Sequence, residues 1–502
     1  MALPSLLALG LAPPPERVWA IGDLHGDADC ARHWVERTQL LSNVSAPPQE
    51  WVWTEPSSKL VFMGDFIDRG PQARDVLVFV RELTVRFPNH VTALLGNHEL
   101  NLLIDRTRPS GGGRYLEYAY AAAHPAQYLA WLPADGADAG DDEVLRLLHD
   151  ALLAAYQRNL HAKGVAMTPD GPNSIVQLVQ PPEARGRVGT ALRRWQSAYM
   201  AGVGSRTALG AWVHRPLTAF FADTVFVHGG IAEELLDLSL PPATGGPTTR
   251  SAQRLDSLAA LEELNRRWLN VTRAGRVGDL APRAGETVAQ AEAAEARALA
   301  QSPLEEIASE MVEYRGLHGS YASYAAARAG GGLKPSTCQL LPPQNLPSEL
   351  NPSALPVTHA LVVRSFVLGW DRRYKDRHVR RGTDMEQVAC DRVAAVLSRL
   401  NASRIAVGHT PEDSVRIRCG GRLLALDSCL SRSFRASGNY YCDAVTEQRD
   451  ARICPPRKEQ CEGQIVRLER ADGQSPWVLH VVESDWGEER DEGAVEDNKL
   501  EL

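Results

Sequence analysis

Five short motifs in the chain each place potential metal ligands beside glycine, at the end of an apolar run. They lie at 22–27 (GDLHGD), 64–70 (GDFIDRG), 96–99 (GNHE), 228–230 (HGG) and 408–410 (GHT). Carboxylate and amide oxygens combined with imidazole nitrogens, and no thiolate, favour Mn, Fe or Zn over Ca or a cysteine-based zinc site. The motifs therefore predict a metal centre with mixed oxygen and nitrogen donors.

This set of donors is sufficient for two metal ions. A carboxylate such as Asp65 can bridge two cations about 3.5–4 Å apart, and such a pair stabilises the attacking and leaving oxygens of an in-line phosphoryl displacement. The cations also bring the pKa of a bound water close to neutrality, which supplies a nucleophile without a side-chain base. We therefore expect a phosphoester hydrolase that uses two divalent ions, with Mn²⁺ favoured and Fe or Zn as alternatives.

Each motif taken alone has a simpler interpretation. Gly-Asp at a strand end is common turn chemistry, and a single His228 or His409 would more often bond a backbone carbonyl. Asp68 and Arg69 alone would indicate a surface ion pair of small energetic value. Five such motifs that follow strands in order along one chain favour a shared site instead.

The apolar runs before the motifs predict the strands that position them. These runs are 17–23, 59–65, 90–96, 224–228 and 404–408, with further strands predicted at 415–419, 422–427, 464–468 and 477–482. Helical spacing predicts a helix capped by Asp27 and another with Pro71 at its first position. Alternating strands and helices favour right-handed crossovers and a mostly parallel sheet, whose carboxyl edge collects the motifs.

The rest of the chain divides by composition into three parts. Residues 1–15 are apolar and proline-rich, 16–484 form one domain with helical inserts at about 101–215 and 245–355, and 485–502 form an acidic tail. The tail has little to bury, so we expect it to be disordered.

Composition excludes two classes of protein. The 502 residues are 44% hydrophobic and carry a formal charge of −8, and no run approaches the roughly 18 continuous apolar residues of a membrane span. Nine acidic and two basic residues fall within 483–502, so the body of the chain is nearly neutral. Its lack of basic excess argues against a general nucleic-acid binder. No pattern indicates an oligomeric state.

The five motifs together resemble the calcineurin-like metallophosphoesterases, and within them the phosphoprotein phosphatases, over about 17–427. The resemblance implies a four-layer α/β/β/α sandwich, here with large helical inserts. Leu95 stands where the eukaryotic core enzymes have Arg before GNHE, and 369–374 (GWDRRY) is similar to the W-x-R-x-Y stretch of the Shewanella-like, bacterial-type branch. That branch is therefore the expected subgroup.

The resemblance also implies roles for the motif residues. One metal would be held by Asp23, His25 and Asp65, and the other by Asp65, Asn97, His228 and His409. His98, oriented by Asp68, would be the general acid that protonates the leaving alkoxide. Arg69 would grip the phosphate bidentately, which Lys cannot do. Arg372 is the candidate for a second grip, with a solvated place in the basic run 372–381 as the alternative.

The predicted metal chemistry does not identify which phosphate ester is the substrate. The resemblance favours a protein serine/threonine phosphatase acting on phosphoproteins or phosphopeptides. Two alternatives are a dinucleoside-polyphosphate hydrolase, which shares the motifs, and a non-catalytic binding protein on the same scaffold.

Features near the C-terminus bear on the cellular compartment. The final residues 499–502 (KLEL) resemble a degenerate endoplasmic-reticulum retrieval signal. Five of the eight cysteines lie within 419–461, where the segment 442–461 could be stapled by a disulfide, and sequons begin at Asn43, Asn270 and Asn401. We expect the lumen of the endoplasmic reticulum, with the cytoplasm as the alternative.

Overall fold

The computed structural model describes the residues that build the sheets and the predicted site. These are 16–106, 125–132, 142–158, 174–204, 207–231, 236, 239–240, 253–274, 384–409, 411–412, 414–437, 440–442, 449–452 and 460–484. The predictions for 1–15, for residues 275–355 of the second helical insert, for the tail 485–502 and for Arg372 lie outside the described residues.

One five-stranded sheet contains the first three predicted strands. In spatial order it consists of β16 (Val478–Glu483), β15 (Gln464–Arg470), β1 (Glu16–Ile21), β4 (Lys59–Phe62) and β5 (Val91–Ala93). Strands β1, β4 and β5 run parallel, with Ala20 opposite Val61 and Val61 opposite Thr92. Strands β15 and β16 are added antiparallel at one side.

The second sheet repeats this plan with later strands. Its order is β11 (Arg416–Arg418), β12 (Leu423–Ala425), β10 (Arg404–Val407), β7 (Thr224–Val227) and β6 (Thr218–Phe221). The three central strands are parallel, and both edge strands are antiparallel. The expectation of a mostly parallel sheet is therefore right for β1, β4 and β5 of the first sheet and for the three central strands of the second, and wrong for the antiparallel strands added to each.

Alternation along the strands shows that the two sheets pack face to face. Val18 and Val61 of the first sheet share a buried cluster with Phe226 and Ala406 of the second. Their chain neighbours, such as Trp19, point the opposite way into the cluster that contains the helices. Because successive strand residues face opposite sides of a sheet, both faces of each sheet are covered.

Helices form the two outer layers. They are α1 (Ala28–Thr38), α2 (Ala73–Arg86), α3 (Asn97–Arg106), α4 (Asp142–Arg158), α5 (Arg185–Gly202), α6 (Ala208–Trp212), α7 (Leu258–Ala274), α8 (Asp384–Leu400) and α9 (Arg432–Ser437). Helices α1 and α2 bury apolar stripes against the first sheet, and α8 packs against β10 of the second. The fold is thus an α/β/β/α sandwich with additional helices. Among the described helices, none combines the length and the apolar character needed to cross a bilayer.

Short elements complete the described chain. Two-stranded ribbons pair β2 (Leu41–Ser42) with β3 (Val52–Trp53), β8 (Ser239–Leu240) with β9 (Gln253–Arg254), and β13 (Tyr440–Cys442) with β14 (Arg449–Arg452). Short 3₁₀ helices occur at Pro48–Glu50, Pro125–Trp131, Ile175–Leu178, Pro182–Ala184 and Cys419–Gly421.

The helix starts were predicted with mixed success. Asp27 caps α1 as expected, with its side chain accepting a hydrogen bond from the backbone N–H of Cys30. The expectation for Pro71 was wrong, because α2 begins at Ala73 after a Gln72 cap. Within the first helical insert, Pro125–Trp131 forms a 3₁₀ helix.

Disulfide bonds join distant parts of the chain. Cys30 at the start of α1 is bonded to Cys461 just before β15, and Cys390 of α8 is bonded to Cys419. Cys429 is also disulfide-bonded. Cys461 therefore does not close a staple within 442–461; it ties the C-terminal strands to the first helix.

Removing the Cys30–Cys461 bond should lower the free energy of unfolding of the oxidised protein by about 2–4 kcal/mol, because the bond restricts the unfolded chain. The measurement is urea denaturation of Cys30→Ser/Cys461→Ser without reductant. Its matched control, Cys390→Ser/Cys419→Ser, opens a bond across 29 residues instead of 431 and should lose less. Stability equal to wild type in the first variant would contradict formation of the long-range bond.

Candidate metal centre

The five motifs meet at the carboxyl ends of the parallel strands of both sheets. Asp23 and His25 follow β1, Asp65 follows β4, Asn97 and His98 follow β5, His228 follows β7, and His409 follows β10. The structure thus brings all six residues expected to bind metal into one region. Asp23, His25, Asp65 and His228 are almost completely buried.

Asp65 lies at the centre of this group. Its Oδ2 atom is 3.3 Å from Nε2 of His228, 3.8 Å from Nε2 of His98 and 4.0 Å from Nε2 of His25. The ligand atoms form two overlapping groups, His25–Asp65–His98 and Asp65–His228–His409, each with its atoms within 4.8 Å of one another. Since Asp65 is common to both groups, its carboxylate has the position of a bridging ligand.

Asn97 and Asp23 complete the two sides. Oδ1 of Asn97 is 3.0 Å from Nε2 of His228 and 2.7 Å from Nδ1 of His409. Oδ2 of Asp23 is 3.9 Å from Nε2 of His25, and both Asp23 oxygens accept from the backbone N–H of His409. The loops after β1 and β10, which belong to different sheets, are joined by this contact.

The hydrogen bonds of the histidines fit metal ligation. Nδ1 of His228 lies 2.8 Å from the Met63 carbonyl, and Nδ1 of His25 lies 3.3 Å from the Ile67 carbonyl. A ring nitrogen that donates to a carbonyl fixes the tautomer and leaves the lone pair of the other nitrogen for a cation. Three carboxylate or amide oxygens near these rings are further possible metal ligands. The residues present therefore fit divalent cations.

The pKa shifts of the buried carboxyl groups also favour a bound cation. Burial, followed by the charges of Asp427 and Asp65, raises the pKa of Asp23 well above its ordinary value. Burial also raises the pKa of Asp427 to about 6. Burial alone would raise the pKa of Asp65, but the neighbouring charges of His228 and His98 hold it well below the ordinary value. A cluster of this kind is stabilised by positive charge at its centre.

Burial and the same neighbouring charges shift the pKa values of the histidines. Burial would lower the pKa of His228 and of His98, but the Asp65 carboxylate raises both. For His25, burial and the nearby charges of His98 and Arg69 lower the pKa well below 6.5. His25 is therefore neutral at physiological pH, as a metal ligand must be.

Backbone geometry at the motifs is unusual. His25, Asp65, Asp68, Arg69 and His409 all have positive φ, between 40° and 67°. Left-handed conformations are uncommon for residues other than glycine and persist where the surrounding structure holds them. Gly96 is required for a different reason, since a Cβ there would lie 2.1 Å from the Asp65 nitrogen.

Glu99, the last residue of GNHE, had no role in the sequence interpretation. It is fully buried, and its two oxygens accept hydrogen bonds from the backbone N–H groups of Asp65 and Gly96 on one side and of Phe66 and Ile67 on the other. Burial and the Asp65 charge raise the pKa of Glu99 to about 7. Glu99 therefore holds the Asp65 loop in its left-handed shape. The signal available in the sequence was a carboxylate two residues after a predicted ligand.

A second set of hydrogen bonds that the sequence did not predict holds the first motif in place. Arg432 at the start of α9 donates from its backbone N–H, Nε and Nη2 to the carboxylate of Asp27, at 2.7–2.9 Å. The neighbouring Ser431 hydroxyl donates to the His25 carbonyl. The His25 loop is thereby fixed from a segment more than 400 residues away in sequence.

The predicted acid pair is also assembled. Nδ1 of His98 is 2.7 Å from Oδ2 of Asp68, which leaves Nε2 directed toward the Asp65 side of the site. Arg69 is half-buried, and its charge acts on both His25 and His98. Arg372, the candidate for a second phosphate grip, lies outside the described residues.

Comparisons with known proteins find a family match for the first part of the chain. Residues 16–183 match the family model for calcineurin-like phosphoesterases. Over 89 residues the chain is 34% identical to Shewanella-like protein phosphatase 2 of Arabidopsis thaliana, a match covering 17% of this chain and 21% of that protein.

Two further relatives match the chain over a similar length. The catalytic subunit of serine/threonine-protein phosphatase 6 of Caenorhabditis elegans is 44% identical over 93 residues, or 18% of this chain and 24% of that protein. The symmetrical bis(5'-nucleosyl)-tetraphosphatase of Xylella fastidiosa is 36% identical over 87 residues, or 17% and 23%. These matches span less than a quarter of each relative's length.

Replacing Glu99 by Gln should destabilise the protein by about 1–3 kcal/mol, because the new NH₂ group faces backbone N–H groups and leaves a buried donor unpaired. Chemical denaturation and a metal-binding titration measure the effect, and metal affinity should fall as the Asp65 loop loosens. Glu36→Gln, at an exposed position of α1, is the matched control and should change neither quantity. Wild-type stability and metal affinity in Glu99→Gln would exclude the bracing role.

Proposed function

We propose that this chain, which carries a calcineurin-like phosphoesterase domain, is a metal-dependent hydrolase of phosphate monoesters. The observation that carries the proposal is the convergence of His25, His98 and His228 on one carboxylate oxygen of Asp65. The pair of His98 and Asp68 beside it adds a proton donor to the same site.

Two sets of residues would hold the metals. Asp23, His25 and Asp65 form one set, and Asp65, Asn97, His228 and His409 form the other. When bound, two divalent ions supply a water nucleophile at neutral pH and stabilise charge on the phosphate oxygens. Mn²⁺ is our first choice, with Fe or Zn as alternatives, because the donors are oxygen and imidazole.

His98 is proposed as the general acid. Oδ2 of Asp68 accepts a hydrogen bond from Nδ1 of His98 at 2.7 Å, so the ring is oriented with Nε2 toward the reacting phosphate. The Asp65 charge and the Asp68 hydrogen bond raise the pKa of His98 above the value that burial alone would give. A raised pKa favours the protonated ring, the form that can donate a proton to the leaving alkoxide.

Arg69 is proposed to grip the phosphate. A guanidinium matches two phosphate oxygens at once, and Arg69 follows Asp68 directly in the loop after β4. Arg372 stays the sequence-based candidate for a second contact to the phosphate. The alternative is that it is a solvated member of the basic run 372–381.

A phosphorylated protein or peptide is the proposed substrate. Support comes from the similarity to protein phosphatases of plant and nematode origin. The second candidate, a dinucleoside polyphosphate, is favoured by the similarity to the Xylella tetraphosphatase. Intact ligand and acid residues argue against a purely binding function.

Two substitutions should separate metal binding from proton donation. Asp65→Asn should lose metal and abolish hydrolysis of p-nitrophenyl phosphate, because the shared ligand loses its charge. His98→Ala should keep its metal content while turnover falls about 10²–10⁴-fold, the usual contribution of a general acid. Elemental analysis and steady-state kinetics give the two readouts.

Chelation provides the control for this experiment. Wild-type protein treated with a chelator should lose activity and regain it with Mn²⁺. Turnover like that of untreated wild type in either variant, or in chelator-treated protein, would refute the assignment.

A substrate panel tests the choice of ester. We expect a phosphoserine or phosphothreonine peptide to be hydrolysed with a higher kcat/KM than diadenosine tetraphosphate by the Mn²⁺-loaded protein. Release of inorganic phosphate and of adenosine nucleotides measures the two reactions. The opposite preference would favour the dinucleoside-polyphosphate hydrolase.

We also propose that the chain folds in an oxidising compartment such as the lumen of the endoplasmic reticulum, rather than the cytoplasm. The disulfides support this, since such bonds persist mainly where thiols are not kept reduced. Two of the sequons begin at exposed asparagines, Asn43 and Asn401. Identical mobility of the native protein with and without reductant, together with reactive thiols, would favour the cytoplasm.

A further inference from the structure

A glutamine from the first helical insert reaches the proposed acid pair. Gln127 lies in the 3₁₀ helix Pro125–Trp131 and is only 1% exposed. Its Nε2 donates to Oδ1 of Asp68 over 3.1 Å. None of the five sequence motifs contains this residue, and it is 59 positions from Asp68.

The two oxygens of Asp68 are thus divided between two partners. Oδ2 faces Nδ1 of His98 at 2.7 Å, and Oδ1 accepts from Gln127. A carboxylate bonded through only one oxygen can rotate about its bond to Cβ. With both oxygens engaged, its plane is fixed and the lone pair of Oδ2 stays aimed at the imidazole.

Charge fixes the orientation of the Gln127 amide. Turning it over would place Oε1 against the Asp68 carboxylate, and two acceptors repel each other. In the observed orientation Oε1 is buried and has no hydrogen-bond partner among the described residues. Burying an unpaired acceptor costs free energy. The hydrogen bond from Gln127 to Asp68 therefore forms although the other end of the same amide is left unpaired.

The position of Gln127 is imposed by aromatic packing on either side of it. Its neighbour Tyr128 packs edge-on against Tyr199 of α5, with ring centroids 5.3 Å apart. Trp131 packs edge-on against the same ring at 5.5 Å and lies beneath the guanidinium of Arg74 from α2. The short helix is therefore held between the insert and the core domain, and Gln127 is carried to Asp68 by that packing.

We propose that Gln127 is a positioning residue for the general acid of the reaction proposed above, acting through Asp68 on His98. The inference rests on the proposed function. Through Gln127 the first insert would contribute to the reaction, because it fixes the orientation of the proton donor His98. Its effect should therefore depend on how much help the leaving group needs, and should be greatest for alkyl esters such as phosphoserine.

The test compares leaving groups in Gln127→Met, which keeps the volume and removes the hydrogen bond. Hydrolysis of 2,4-dinitrophenyl phosphate, whose leaving group needs no proton, should stay within about twofold of wild type. Phenyl phosphate and a phosphoserine peptide should lose about tenfold or more in kcat, a fraction of the 10²–10⁴ that general acids contribute. KM and metal content should not change.

Two further variants sharpen the result. Gln177→Met changes an exposed glutamine elsewhere in the same insert and should behave as wild type. In an Asp68→Asn background, Gln127→Met should have no additional effect, because the residue through which it acts is already altered. Gln127→Glu keeps the shape, places an acceptor against Asp68 and should reduce phenyl phosphate turnover further than Gln127→Met does.

The outcomes separate failure of the proposed function from failure of the positioning role. If wild-type protein with Mn²⁺ hydrolyses none of these esters, the proposed function fails. If wild type is active but both Gln127 variants lose activity equally for all leaving groups, or add fully to Asp68→Asn, the positioning role is overturned. Should Gln127→Met not fold, as judged by its melting curve, the leaving-group dependence of Gln127→Glu decides by the same criteria.

Discussion

The site depends on one buried carboxylate, that of Asp65, placed where the loops of two sheets meet. Its Oδ2 faces three imidazoles, while its Oδ1 accepts the backbone N–H of His98. A charge in this position is stable only with compensating positive charge close by. A protonated His98 would provide it in part, and two divalent cations would provide the rest.

Much of the neighbouring structure holds Asp65 in place. Its backbone is left-handed, Glu99 accepts hydrogen bonds from its own N–H and from that of Phe66, and Gly96 makes room for its nitrogen. The parallel strands deliver the other ligands, and the sandwich brings His228 and His409 from the second sheet to Asn97 at the end of the first. Packing of the two sheets is therefore a condition for assembling the second set of ligands.

The sequence predicted the parts of this site that depend on local pattern. Strands ending in Gly-Asp or Gly-His were found because apolar runs and turn residues are adjacent in the chain. The candidate ligands could be named because they sit in those turns. Strand β6 was missed: it forms a hairpin with β7 through Ala222 and Asp223, both with positive φ. Such turns usually carry Asn or Gly, so the expected signal was absent.

What could not be predicted depends on tertiary packing. The partner of Cys461 is 431 residues away in sequence, and no spacing rule reaches that far. Arg432 has the sequence context of an ordinary basic residue, and its role exists only because α9 lies beside Asp27. Gln127 sits in a 3₁₀ helix whose position is set by Tyr199 and Arg74, and neither contact leaves a signal in a single sequence.

The central proposal is that two metal ions would share Asp65 as a ligand. Anomalous diffraction from crystals of the protein grown with Mn²⁺, collected on both sides of the manganese absorption edge, tests it most directly. We expect two manganese peaks that both contact the Asp65 carboxylate, one beside Asp23 and His25 and the other beside Asn97, His228 and His409. A single peak, or peaks away from Asp65, would contradict the claim.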